Sequence, residues 1–384
     1  MFTPYRIYNE EHEMFRQSVA EFAAKEIIPF NAEWEKNKMV SREIWEKLGE
    51  AGFLCMQVDE QYGGLGIKDF RYNAIFAEEL SKTGCAGPAV GFPLHNDIVC
   101  PYIEHYGTEA VKNKWLPGMV KGTVISAIAM TEPGAGSDLQ GMKTTAIDKG
   151  DHYLLNGSKT FITNGYLSDV VVVAAKTDPN AGAKGISLFV VDVKSEGFSK
   201  GFPFEKVGLH AQDTCELFFD NVKVPKDHLL GEEGKGFTYL MTELAQERIV
   251  VAITAVGGAI CALQDTIEFV KTRTAFKKTV ADMQNTRFKL AECFGEVDQA
   301  RLYMERMIEL HADKKLETYQ ACLAKQRLTD MQSRVADECL QLHGGYGYMW
   351  EYRVGRIWAD ARVQRIYAGT NEIMKEVIAR KILS

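Results

Sequence analysis

Ala129 to Asp138 reads Ala-Met-Thr-Glu-Pro-Gly-Ala-Gly-Ser-Asp, a composition suited to holding something flat and anionic. The apolar run Val124 to Ile128 predicts a buried strand that runs into a Pro-Gly-Ala-Gly turn. Backbone N–H groups and the hydroxyls of Thr131 and Ser137 are then free to donate. Gly134 and Gly136 permit positive φ and close approach of a ligand to the backbone. The spacing is not G-x-G-x-x-G, and no helix follows at once, so this is no dinucleotide fingerprint. Taken alone, the segment also reads as a plain loop. Glu247 is a second candidate. It precedes the largely apolar run Ile249 to Ile253, so it either faces a dry pocket or pairs with Arg248 or water at a helix start. In a dry pocket burial would raise its pKa and make it a better base. A third candidate is the basic cluster Lys271, Arg273, Lys277 and Lys278, which is either an anion site or a solvated helix end.

Three zones of different periodicity must position these groups. Residues 1–122 read helical: Phe15, Val19, Phe22 and Ile27 recur at helical spacing, as do Ile44, Leu48 and Phe53, and Pro117-Gly118 closes the zone. Residues 123–234 carry short β-branched runs, among them Val170 to Ala174 and Ile186 to Val193. Turn pairs such as Asn156-Gly157 and Asn164-Gly165 separate the runs, which predicts an antiparallel β domain. From 235 to 384 long helical periods return, with a stripe of Leu290, Phe294, Val297, Met304 and Ile308 broken only by Arg301. Few Pro or Gly interrupt this zone, which predicts a bundle of long helices. The fold class is therefore α+β and multidomain.

The 384 residues carry 46% hydrophobic and 25% charged residues and a net charge of −7, which gives no reason to expect nucleic-acid binding. The eight cysteines are scattered with no C-x-x-C pair, so no metal site is expected and the thiols are expected reduced. H-E-x-x-H and P-loop spacings are absent. Met1 to Met14 carries Glu10, Glu11 and Glu13 and no signal-like core, and no apolar run is read as long enough to span a membrane. The expectation is a bacterial cytoplasmic protein without membrane insertion.

Four segments in order, Thr131 to Gly141, Lys159 to Gly165, Gln341 to Tyr348 and Ile366 to Ile373, resemble the acyl-CoA dehydrogenase family over essentially the whole chain. The resemblance implies an N-terminal α domain, a central β domain and a C-terminal four-helix bundle, with FAD as cofactor. By that resemblance Ile128, Ala129, Met130, Thr131, Glu132, Pro133, Gly134, Ala135, Gly136 and Ser137 line the flavin. Phe161, Ile162 and Thr163 flank its ring, and Ser137 also touches substrate. Arg273, Phe276 and Gln284 reach the FAD of a neighbouring subunit, although Lys277 stands where a Gly commonly follows the Phe. Gln341, Leu342, His343, Gly344 and Gly345 meet the adenine half, and Thr370, Asn371 and Glu372 complete the cofactor set. Ala183, Lys184, Thr238, Ala245, Gln246, Glu247, Arg248, Ala368 and Gly369 match substrate positions. A homotetramer is implied.

Many members carry a Glu in an I-Y-E-G-T loop, but here that position is Ala368, which cannot remove a proton. Gln246-Glu247-Arg248 resembles the segment that supplies the base in the long-chain and isovaleryl branches. The resemblance implies that Glu247 removes the α-proton of an acyl-CoA while a hydride leaves the β-carbon for the flavin, giving a trans-2-enoyl-CoA. The Ala368 N–H would keep an oxyanion role. Medium- or long-chain fatty acyl-CoA in β-oxidation is the implied substrate, and electron-transferring flavoprotein the acceptor. The rivals are a flavin monooxygenase of the same fold, which would need no base at 247, a branched-chain (isovaleryl) dehydrogenase, an acyl-CoA oxidase and a flavin-free scaffold.

Overall fold

The computed structural model describes residues 1–384. Seven helices open the chain: α1 (Glu10–Glu26), α2 (Asn31–Asn37), α3 (Arg42–Glu50), α4 (Phe70–Lys82), α5 (Ala86–Pro93), α6 (Cys100–Tyr106) and α7 (Glu109–Val120). Asn9 caps α1 by accepting from His12 N, and Thr108 caps α7 by accepting from Val111 N. Pro117 lies inside α7 rather than ending it, because it sits in the last turn; the stop comes at Gly122, with φ +72°. Between α5 and α6 the chain stays helical but widens into a π-helical turn, Leu94–Val99. Such turns insert a residue and re-aim the side chains around it.

Strands β1 (Ser126–Ala129), β2 (Thr145–Asp148), β3 (His152–Thr163), β4 (Val170–Lys176), β5 (Ile186–Asp192), β6 (Phe198–Lys200), β7 (Thr214–Pro225) and β8 (Leu229–Leu230) form one sheet. Its order is β6-β7-β3-β2-β4-β5-β8, with β1 added against β4. The expectation of a wholly antiparallel sheet needs correcting: β1 runs parallel to β4, as does the single β2–β4 pair. Asn156-Gly157, expected as a turn, lies inside β3 at a register shift. Gly157 adopts φ +145° there, so the dipeptide makes a bulge. Val170, Val172 and Ala174 pack on the α6–α7 side of the sheet, while Val171, Val173 and Ala175 fill the other face. Burial on both faces explains why β4 reads as an unbroken apolar run.

Helix α8 (Gly236–Thr272) begins the bundle. A two-residue hairpin, β9 (Thr274–Ala275) with β10 (Lys278–Thr279), leads to α9 (Gln284–Ala312), α10 (Thr318–His343), the short α11 (Arg353–Ala361) and α12 (Asn371–Ile382). Helix α8 is long and apolar enough to cross a membrane, contrary to the sequence reading, yet that stretch is almost wholly buried in the protein. It is apolar all round because α4, α9 and α10 pack on it from different sides. Arg301, the break in the α9 stripe, is buried under the N-terminal segment: it donates to Thr3 O at 2.7 Å and lies over the rings of Phe2 and Tyr5.

Candidate active site

A cavity opens where the β1 turn, the end of β3, the α5–π-turn segment, α8 and the loop before α12 meet. Glu247 is the only carboxylate in its wall, and most of the remaining lining is apolar. Glu247 is 3% exposed and its Oε1 accepts from the Tyr102 hydroxyl at 2.8 Å. Burial pushes its carboxyl up to about 7, against the opposing pull of the Tyr102 hydrogen bond and the Arg248 charge. The carboxylate makes no ion pair with Arg248. That guanidinium turns away, donating to Cys322 Sγ at 3.4 Å, with its Nη2 aimed towards Gly369.

The two motifs nearest the carboxylate are locked to each other. Lys159, fully buried, donates to Met130 O at 3.0 Å and to Glu132 Oε1 at 2.9 Å. Burial drives the Lys159 ammonium down to about 8, and Glu132 opposes that fall. Glu132 also accepts from the backbone N–H of Lys143 and Thr144. The Glu132 side chain thus anchors the turn from inside. Gly134 and Gly136 do not use positive φ; the turn closes through a Glu132–Ala135 bridge, and a Cβ on either glycine would meet nothing within 4 Å. Their contribution is open space above the backbone.

At the second register shift of β3, Phe161 takes φ +59° and stands 67% exposed beside the cavity, followed by Ile162 and Thr163 in its wall. A large ring held in a costly backbone conformation at a cavity edge fits a flat aromatic ligand. Ile128, Met130 and Thr131 line the same cavity. Opposite them, Ala368 enters the wall with φ +51° and is followed by Gly369 at φ +85°. Buried Lys325 holds this turn, donating to Gly369 O at 2.7 Å and to Asn371 Oδ1 at 3.0 Å. The Asn371 amide donates in turn to Thr329 and Asp330 on α10. Asn371 thus ties the turn to α10. The Gln246 side chain bridges Asp97 O at 2.7 Å and His311 Nε2 at 2.9 Å.

Other expected residues gather elsewhere. Arg273 and Gln341 to Gly345 line a separate open groove at the far end of α8 and α10, with Arg273 over the Tyr346 ring at 5.2 Å. His343 is buried there against Phe269 and bonded to Cys339 O. Lys277 takes φ +63° beside Phe276 at +52°, so the hairpin keeps its left-handed pair without a glycine. Phe276 and Gln284 line neither site, and Pro133, Gly134, Gly136, Ser137, Lys184, Thr238 and Glu372 are exposed on the surface. Ala129 and Ala135 are buried, and Ala183, Ala245 and Thr370 are half-buried, Thr370 as the cap of α12. Of the residues in α5, Ala89, Val90 and Pro93 reach the cavity, while Gly87 and Gly91 pack against Ala211 and Gln212.

Sequence reasoning missed Pro93, Leu94, Ile98, Tyr367 and Tyr102. Leu94 and Ile98 depend on the π-helical turn that follows Pro93, which no periodicity shows. That turn is fixed by His95, whose Nε2 donates to Met119 O at 3.1 Å while Nδ1 accepts from Ser126 Oγ at 2.8 Å.

Three family models match in order. Acyl-CoA dehydrogenase, N-terminal domain, matches residues 9–123, the middle domain 127–222 and the C-terminal domain 234–383. The chain is 51% identical over 380 residues to the mitochondrial long-chain specific acyl-CoA dehydrogenase of Sus scrofa, covering 98% of this chain and 88% of the relative. The crystal structure of an acyl-CoA dehydrogenase from Geobacillus kaustophilus superposes with a TM-score of 0.96 at 53% identity, over 99% of this chain and 100% of that one. A glutaryl-CoA dehydrogenase from Mycobacterium smegmatis in complex with FADH2 superposes with a TM-score of 0.91 at 28% identity, covering 98% and 95%.

Proposed function

This chain belongs to the acyl-CoA dehydrogenase family, whose members are FAD-dependent oxidoreductases of acyl-CoA thioesters, and we propose that Glu247 is its catalytic base. One observation carries the proposal: the cavity wall holds a single carboxylate, buried and raised towards neutrality, opposite the loop where Ala368 offers no acid. Raising a carboxyl from its ordinary value to about 7 strengthens it as a base by about 3 kcal/mol. The Tyr102 hydroxyl fixes the carboxylate's direction. Bound FAD supplies the hydride acceptor. Ile128, Met130, Thr131 and Phe161 to Thr163 would hold its ring, for they combine an exposed aromatic, open backbone and hydroxyl donors. The Ala368 N–H would orient the thioester oxygen, with Lys325 fixing the turn that carries it.

The substrates we propose are medium- and long-chain fatty acyl-CoAs in β-oxidation. Ala89, Val90, Val250 and Val251 make an apolar wall, and Ala89, Val90 and Thr254 also border a smaller chamber beyond it. The pig relative's name points the same way. Electron-transferring flavoprotein as acceptor, a homotetramer with Arg273 and Gln341 to Gly345 at the distal half of FAD, and a bacterial cytoplasmic location complete the reading.

Replacing the base is the direct test. Glu247→Gln should retain FAD yet lose at least a thousandfold in anaerobic flavin bleaching by decanoyl-CoA, in line with the larger effects of removing a positioned base. Bleaching within tenfold of the parent would remove Glu247 from the mechanism. A panel of straight and branched acyl-CoAs ranks chain length; preference for isovaleryl-CoA over decanoyl-CoA would overturn the long-chain assignment.

A further inference from the structure

Ala89, Val90 and Thr254 line both the active-site cavity and a small chamber behind it, enclosed by α4, α5, α8, α10 and α11. The chamber has room for roughly two water-sized groups. Small residues create that room. Ala86 stands in its wall, and Gly258, one turn beyond Thr254 on α8, leaves space for the side chain of Gln332 from α10. A Cβ on Gly258 would lie 2.5 Å from Gln332 Nε2.

The cavity is mostly apolar, but the chamber also presents Ser81, Gln332, Asp360 and Gln364, all buried. Their hydrogen bonding is incomplete in a definite way. Ser81 Oγ donates to Ala77 O at 2.7 Å, so it has only accepting capacity left. Gln364 Oε1 accepts from Thr254 Oγ1 at 3.3 Å, which leaves its amide N–H groups to donate. Asp360 Oδ1 accepts from Leu209 N at 2.5 Å. Gln332 is 3% exposed, and its Oε1 accepts from nothing. An amide oxygen kept from water without a donor is destabilising. Leu328, Met331 and Val335 show that apolar side chains serve the core packing of this helix, so packing alone does not call for an amide at 332.

We propose that the chamber receives the far end of an acyl chain carrying a terminal hydroxyl, and that Gln332 selects it. The inference rests on the reading of the chain as a dehydrogenase of fatty acyl-CoAs whose tails run along Ala89, Val90 and Thr254. A hydroxyl donates once and also accepts, which matches the unpaired Gln332 Oε1 and the N–H groups of Gln364. A terminal carbonyl would leave Gln332 Oε1 unpaired. A terminal carboxylate fits worse, because no lysine, arginine or histidine lines the chamber and Asp360 stands in its wall. A methyl end arriving there would displace water from polar groups and return no hydrogen bond. No bond is made or broken in the chamber. Gln332 acts on how tightly the tail is held, far from the α- and β-carbons, so its effect belongs in KM rather than kcat.

The experiment compares straight-chain acyl-CoAs from hexanoyl to hexadecanoyl with their ω-hydroxy counterparts, by kcat/KM on the holoenzyme with an artificial electron acceptor. The ratio of ω-hydroxy to unsubstituted substrate should reach about tenfold at one chain length, the weight of one buried hydrogen bond. It should fall below one at shorter lengths, where the hydroxyl lies in the apolar cavity. In Gln332→Met, close in volume but unable to pair with a hydroxyl, the maximum should disappear. Each ratio is taken within one variant, so general damage cancels. Gly258→Ala, which pushes the amide aside, gives the same reading should Gln332→Met not fold. A ratio at or below one at every length, a maximum that survives substitution, or an equal maximum for ω-carboxy chains overturns the proposal. Normal turnover of unsubstituted chains with a flat ratio defeats the chamber alone. A parent inactive towards every unsubstituted acyl-CoA defeats the dehydrogenase reading, and the chamber with it.

Discussion

Glu247 combines two demands that pull against each other. A carboxylate that ionises at higher pH is a better base, and the burial that raises it also penalises its charge in the folded state. Its folded pKa, about 7, lies above that of an unfolded carboxyl, so the native state holds the proton more tightly. The linkage sign follows: stability from this group is present below the unfolded pKa and is lost as pH rises through 7. Glu247→Gln should therefore melt higher than the parent at pH 8, by up to about 3 kcal/mol. That advantage should vanish near pH 4, and thermal melts of both holoenzymes across this range check it; equal melting at pH 8 would mean that the carboxylate is stabilised by something other than Tyr102. In the parent, the rate of flavin reduction should climb tenfold per pH unit below 7 and level above it. That Glu247 is buried in the cavity wall was legible in the sequence because it precedes an apolar run. Tyr102 was not, since a hydrogen bond across 145 residues leaves no local pattern.

At the scale of elements, the site depends on ties between segments that are individually weak. Lys159 on β3 reaches back to the β1 turn, joining Met130 O and Glu132 across 27–29 residues. Lys159→Met strands a buried carboxylate that keeps only backbone donors, and should cost about 3–5 kcal/mol. Adding Glu132→Gln should return most of that loss, since removing both charges leaves no orphan. Thermal melts with release of FAD fluorescence measure both effects; equal damage in single and double variants would refute the ion-pair account. The existence of β4 and β5 was readable from their β-branched runs. The role of Asn156-Gly157 was not, because the same dipeptide serves a hairpin or a bulge, and only pairing of Gly157 with Phe219 on β7 decides between them. Likewise Gly134 and Gly136 signalled a turn, but their value lies in absent side chains rather than in unusual φ.

For the whole molecule, the groove holding Arg273 and Gln341 to Gly345 lies at the opposite end of α8 from Glu247. Beside it Phe276 is 90% exposed on a hairpin of two left-handed residues. Such exposure is expected where a second copy covers it. Arg273→Ala should then weaken FAD binding by about ten- to a hundredfold, the range for losing a hydrogen bond to a charged group. FAD per subunit after gel filtration tests this; full occupancy at micromolar protein would assign the groove to another ligand. The order helix, sheet, helix was plain from periodicity alone. That α8 is apolar on every side was misjudged, because an enclosed helix and a membrane-spanning one satisfy the same composition. Its enclosure carries a consequence of its own. The proposed proton-abstracting group, Glu247, is mounted on the molecule's innermost rod, so it has no local looseness that heat could exploit first. Warming should silence the catalyst and melt its scaffold within the same few degrees, with no cold-looking but inert form in between.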